Sequence, residues 1–237
     1  AWMLDEASGT RVNAQGTTGR NLTEGGGTLA NSTTQKMEGA ASAEIANKYL
    51  STTDAALATI AAPFTCFLWM RYTDGAGGAV HLFQNSGAVN GLSVFYNTTP
   101  QTFTITAFNG GGTDSYTSTQ TVAFNTWAHV AVRRTTTASA LLLNGVFEGS
   151  KVHAMGSPTN GPSFSLSYLS SAFFAGEFDE AGCAAVALSD AAICRICSCG
   201  VRGEQCTCNG AAYTSSGRNA STCGSCTLPA CNLTTPP

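Results

Sequence analysis

Charge is the scarcest feature of this chain. Acidic and basic side chains make up 11% of its 237 residues, against about 25% in an ordinary soluble domain. Lysine and arginine together number 11, and the formal net charge is −3. No basic stripe is available to neutralise phosphates, which speaks against a nucleic-acid partner. No run of about 18 apolar residues occurs, so no helical membrane span is predicted. The nucleophile elbow G-x-S-x-G, the zinc motif H-E-x-x-H and the phosphate-binding loop are all missing. The three histidines, His81, His129 and His153, have no ligand spacing. His81 and His153 read as loop or strand-end residues. The chain opens at Ala1 without a methionine or a signal peptide, so a processed form or a fragment is expected.

Small and β-branched residues fill the space that charge leaves. Thr, Ala, Gly, Ser and Val dominate, a composition that suits many strands joined by glycine-rich turns. Ten cysteines are present. Cys66 and Cys183 stand apart. Cys194, Cys197, Cys199, Cys206, Cys208, Cys223, Cys226 and Cys231 crowd into the C-terminal segment. An even, dense, terminal set reads as a disulfide framework made in an oxidising compartment. The pairs Cys194/Cys197 and Cys223/Cys226 also have the outline of a zinc site. Interleaved cysteines and the absence of histidine from the tail weigh against it. The sequons at Asn21, Asn31, Asn97, Asn219 and Asn232 permit surface glycosylation.

Residues 1–60 are polar and glycine-rich and read as short strands with long loops. Beyond them the periodicity is that of strands. "FTCFLWMRY" (64–72) is apolar on both faces, with Phe64, Cys66, Leu68, Met70 and Tyr72 opposed to Phe67 and Trp69. That is the pattern of a central strand covered on both sides. In "GLSVFYN" (91–97), Leu92, Val94 and Tyr96 share a face. In "QTFTITAF" (101–108), Phe103, Ile105 and Ala107 oppose Thr102, Thr104 and Thr106. "NTWAHVAVRR" and "ALLLNGVF" are further strands, the latter with an Asn144-Gly145 turn signal. "SFSLSYLS" alternates again, with Phe164, Leu166 and Tyr168 inward, and a last strand lies in or beyond "FFAGEFDEAGCAAVAL". One short helix is predicted near 190–198, capped by Ser189 and ended by Gly200. The fold class is all-β, a sandwich of two antiparallel sheets over residues 1–190. Residues 191–237 form a Cys-rich tail too small to bury its own core.

The order of segments resembles a known family. "WMLDEASG", "FTCFLWMRYTD", "NTWAHVAVRR", "LLLNGV" and "GEFDEAGCAAVALSDAAI" follow one another as in laminin-G-like and pentraxin-like jelly rolls of the concanavalin A-like lectin/glucanase superfamily. The resemblance covers roughly residues 1–197. It implies a fourteen-strand-like jelly roll with a concave face. It also implies a secreted module that binds glycan or protein, often with calcium. Cys66 falls on the pentraxin cysteine, but the partner position holds Ala131. Against that departure, Cys66 is expected to pair with Cys183, leaving eight tail cysteines for bridges among themselves. The family position of His129 is packed beside the strand tryptophan, a structural role.

Candidate sites follow from the same comparison. Family 16 glycoside hydrolases carry E-x-D-x-x-E on one strand. "EFDEAG" supplies Glu177 and Asp179, but Gly182 stands where the acid is required. No catalytic residue is therefore assigned, and the protein is read as a non-enzyme. Calcium is the one cofactor the resemblance suggests. It would draw on Asp5, Glu6, Asn13, Asp179 and Glu180, where the first and last strands meet. The competing reading, which we favour, has Asp179 and Glu180 accept backbone or arginine hydrogen bonds. Sugars stack on exposed aromatics, and Tyr72, Tyr96, Phe108 and Tyr116 are the candidates near loops. The expected function is a secreted or cell-surface adhesion module whose partner is an extracellular glycan or protein. The alternative is a structural subunit that packs against copies of itself into a fibre, sheath or coat, which low surface charge would permit.

Overall fold

The computed structural model describes residues 1–13, 20–37, 40–73, 78–86, 91–108, 112–153, 163–167 and 174–199. Its strands are β1 (Thr23–Gly25), β2 (Ala30–Ser32), β3 (Ser42–Ala46), β4 (Tyr49–Thr52), β5 (Phe64–Tyr72), β6 (Ala79–Ser86) and β7 (Leu92–Asn97). They continue with β8 (Thr102–Phe108), β9 (Thr113–Thr117), β10 (Trp127–Arg134), β11 (Ala138–Leu143), β12 (Val146–Val152), β13 (Ser163–Leu166) and β14 (Ala175–Ala184). The helices are α1 (Ala55–Ala58), unforeseen in the sequence, and α2 (Asp190–Cys199). Two seven-stranded antiparallel sheets result. Sheet I runs β12-β11-β10-β5-β14-β3-β2, and sheet II runs β1-β4-β13-β6-β7-β8-β9. Among the described residues no helix is long and apolar enough to cross a membrane.

β5 is the strand the pattern anticipated. It sits in the middle of sheet I between β10 and β14. Its Phe64, Cys66, Leu68, Met70 and Tyr72 enter the core between the sheets. Phe67 and Trp69 face outward and are buried all the same. Phe67 packs with Ala131, Leu142 and Ile193, and Trp69 with Met37 and Cys197. Helix α2 therefore covers the outer face of sheet I. The chain reaches that position because Thr65 Oγ1 donates to the Val186 carbonyl and accepts from the Leu188 amide, each at 2.9 Å. Ser189 caps the helix, its Oγ accepting from the Ala192 amide at 3.2 Å. A predicted tail helix is thus packed onto the sandwich. The other half of the alternation holds in β8, where Phe103, Ile105 and Ala107 are buried in the core. Asn144 and Gly145 both have positive φ, 51° and 79°, and join β11 to β12.

β14 carries the irregularity that shapes the rest. Asp179 pairs with Trp69 and Gly182 with Phe67, so Glu180 and Ala181 together face Leu68 alone. This is a β-bulge, with Glu180 at φ 44°. The Trp2 amide donates to the Ala181 carbonyl at 2.7 Å, which ties the N-terminal segment to the last strand. A Cβ on Gly182 would lie 2.5 Å from the Phe67 ring. Beyond the bulge, Cys66 and Cys183 are register partners and form a disulfide across 117 residues of sequence, as the sequence expectation had it. Cys194 and Cys197 are also disulfide-bonded. The side chain of Cys199, and Cys206, Cys208, Cys223, Cys226 and Cys231, lie outside the described residues.

Two outcomes are expected from these contacts. Replacing both Cys66 and Cys183 by Ala should lower the unfolding free energy by about 2–5 kcal/mol, because a long loop loses its cross-link. Urea denaturation checks it. Gly182→Ala should cost roughly 1–3 kcal/mol by forcing Phe67 aside, and Phe67→Leu should recover part of that loss in the double variant.

Candidate functional site

The carboxylates of β14 are engaged within the fold. Arg71 Nη1 donates to both Glu177 oxygens at 3.0 and 2.9 Å, while its Nε and Nη2 donate to Asn125. Burial pushes the Glu177 carboxyl above its ordinary range, although Arg71 pulls the other way. Asp179 is fully buried and accepts from the Met37 amide at 2.6 Å and the Glu180 amide at 2.8 Å. Asp5 accepts from the Ala40 and Ala41 amides, and Glu6 from the Val12 amide. The Asn13 amide donates to Asn21 Oδ1, and Asn13 pairs with Trp2. What meets the last strand is the N-terminal segment ahead of β1, through Trp2 and Ala181. Three of these carboxylates, Asp5, Glu6 and Asp179, are holding backbone N–H groups there. Among the described residues no three His, Cys, Asp or Glu gather in a metal-holding arrangement.

The aromatic candidates divide by strand parity. Tyr72 is 2% exposed and Tyr96 0%. Both are core residues, in contact with each other and with Phe124. Tyr96 donates its hydroxyl to the Val122 carbonyl, and burial pushes its pKa to about 12. Neither offers a face to a sugar, and the expectation for these two is corrected. Tyr116 is half-buried and closes the side of the sandwich, its hydroxyl donating to the Glu148 carbonyl of β12. Phe108 is half-buried at the end of β8, on the face away from the core.

That face, the outer side of sheet II, holds what the sequence reading missed. Phe95 alternates with the core residues Val94 and Tyr96 and therefore points out, half-buried. Its neighbour in register is His81, with ring centroids 4.1 Å apart in an edge-to-face contact. His81 lies within β6, not in a loop or at a strand end, and is 2% exposed. Desolvation lowers its pKa to about 4. One register step along, a row of polar side chains crosses the sheet: Ser165, Gln84, Ser93, Thr106 and Ser115. Ser93 and Ser165 are 0% and 1% exposed. Their hydroxyls, and both His81 ring nitrogens, have no hydrogen-bond partner. Thr104 and Thr117 pair at 2.8 Å, and Thr106 and Ser115 at 3.0 Å. Asn97 donates its Nδ2 to Thr102 and Thr104, so the nitrogen that a glycan would modify is in use. Asn21 and Asn31 are half-buried, and Asn219 and Asn232 lie outside the described residues.

The other histidines are structural. His129 is buried on the outer side of sheet I, stacked on Phe67 and edge-on to Trp69, in the packing role that the family resemblance implied. His153 is buried with Nε2 2.8 Å from Ser139 Oγ. Its pKa is lowered, mainly by burial.

Two antiparallel seven-stranded sheets, helix-capped on one side and hydroxyl-rich on the other, define a lectin-like jelly-roll sandwich. Residues 44–194 match the laminin-G-type family model of the concanavalin A-like lectin/glucanases superfamily, and the chain belongs to that family. Solved structures agree on the fold. Domain 4 of AbnA, a GH43 extracellular arabinanase from Geobacillus stearothermophilus, solved with arabinotriose, superposes with a TM-score of 0.61 at 16% identity. The match spans 79% of this chain and 98% of that one. The binding domain of Paraclostridial Mosquitocidal Protein 1 gives 0.62 at 12% identity, over 81% and 51% of the two chains. The binding domain of botulinum neurotoxin serotype G gives 0.56 at 10% identity, over 75% and 46%. No curated protein matches the chain.

His81 makes stability depend on pH. Its imidazole takes up a proton near 6.5 when unfolded and near 4 when folded. Between those values the unfolded chain binds more protons, so stability is lost as the pH falls from about 6.5 to about 4. The loss from this group should reach roughly 3 kcal/mol. Urea midpoints across that range check it, and His81→Gln should flatten the slope.

Proposed function

We propose that this chain is a non-enzymatic glycan-binding module working through the outer face of sheet II. One observation carries the reading: a half-buried phenyl ring, Phe95, set among hydroxyl and amide side chains beside buried polar atoms that have no partner. A saccharide needs this combination. Its C–H face stacks on an aromatic ring, and its hydroxyls both donate and accept hydrogen bonds. Gln84 and Thr104 are half-buried beside Phe95 and would meet such hydroxyls, with Ser93 and His81 beneath. The arabinanase domain, whose fold this chain shares, was solved with arabinotriose, which supports a glycan as the class of ligand. The hydrogen bonds that hold Glu177 and Asp179 support a role without hydrolysis. Disulfides at Cys66–Cys183 and at Cys194 and Cys197 support a secreted or cell-surface location.

Self-assembly finds less support at the β12 edge. That strand is bulged opposite Leu141 and Leu142, and Lys151 pairs with Asp114. Bulges and edge lysines discourage the addition of a foreign strand.

The test is binding of a panel of oligosaccharides by wild type and by Phe95→Leu, which keeps apolar bulk and removes the ring. The variant should keep its circular dichroism and lose roughly tenfold in affinity, the scale of one aromatic contact. A folded wild type that retains no saccharide on the panel overturns the reading.

A further inference from the structure

The seven strands of sheet II contain two charged residues, Glu24 and Asp114. Both are turned off the outer face. Glu24 is in register with buried Leu50 and pairs with buried Arg11 at 3.0 Å. Asp114 is in register with core residue Ala107 and pairs with Lys151 of β12. The outer positions of the same strands hold hydroxyl, amide, aromatic and imidazole groups instead. His81 adds no charge at neutral pH, because desolvation keeps its ring unprotonated. The outer face of sheet I is different. Glu44, Glu177 and Arg71 lie in one register row there.

We infer that the ligand of the sheet II face is an uncharged saccharide, bound without a metal ion. This rests on the glycan-binding reading above and narrows it. The reason is desolvation. A carboxylate or sulfate that loses water against this face meets no lysine or arginine of these seven strands in return, and an uncompensated charge is expensive to bury. A sugar hydroxyl loses less and regains hydrogen bonds from Gln84 and Thr104, which are part-exposed on that face. The same absence of charge bears on metals. Calcium takes oxygen ligands that include carboxylates, and these strands turn no carboxylate toward the face. The bound state therefore has no ion pair for salt to screen.

The experiment is calorimetric titration of the wild-type chain with four probes: arabinotriose, maltotriose, sialyllactose and trigalacturonate. Each is run with and without EDTA, at about 50 mM and about 500 mM NaCl. At least one neutral probe should bind more than about tenfold tighter than either acidic one. Its affinity should shift by less than about twofold with salt and be unchanged by EDTA. Thr117→Lys, which adds a cation at an exposed position of that face, should gain salt-sensitive binding of sialyllactose. Acidic probes that bind as well as neutral ones, or binding abolished by EDTA, overturn the inference and leave the glycan-binding reading intact. If none of the four probes binds, the inference falls, and a wider panel that also draws no binding removes the reading beneath it.

Discussion

The pairing of β5 with β14 is the constraint on which the rest of the structure depends. β5 is buried on both faces, so its neighbours must supply a core on one side and a cover on the other. β14 does both. Its Phe178 enters the core, and its Asp179 holds the Met37 amide over the outer face. The bulge at Glu180 and Ala181 re-aims the strand, exposes a carbonyl to Trp2 and lets Gly182 pass under the Phe67 ring. The disulfide between Cys66 and Cys183 then joins the two strands covalently, one register step beyond the bulge. The position where a glycoside hydrolase would need its acid is occupied, in effect, by an aromatic ring from the next strand.

From that seam the two outer faces diverge. Sheet I is overlaid by the segment that follows β14, stitched down at Thr65 and Arg133 and continued as α2. Arg71, Glu177, Arg133 and Asp179 on that side are used in ion pairs and amide contacts close to the protein's own chain. Sheet II has no described helix on that side, and its charge is turned off the face. The features that make β14 resemble an active strand therefore serve the scaffold. The side chains most suited to a ligand lie on the opposite sheet.

Much of the scaffold was legible along the chain because strand alternation is strict. The two-sided run of 64–72, the threonine-backed β8 and the Asn144-Gly145 turn each carry their meaning locally. The Cys66–Cys183 pairing followed from family resemblance and an even cysteine count. The site was less legible. Tyr96 stands out along the chain as an aromatic near a loop, and its neighbour Phe95 does not. Parity is the signal that singles it out, since Leu92, Val94 and Tyr96 share one face. The residue left over was the one facing out. The strand position of His81 is hidden along the chain because β6 alternates irregularly across a bulge between His81 and Phe83.

The sequence by itself determined the period of the strands, the class of sandwich and the poverty of charge, because each depends on residue order and type alone. Only the tertiary structure decided which face those side chains share. Ser165, Gln84, Ser93, Thr106 and Ser115 come from five strands spread over the chain, and register alone brings them into one row. Register is a property of pairing between distant segments. A chain read one residue at a time does not contain it, and so an uncharged face assembled from seven strands becomes visible when the sheet is closed.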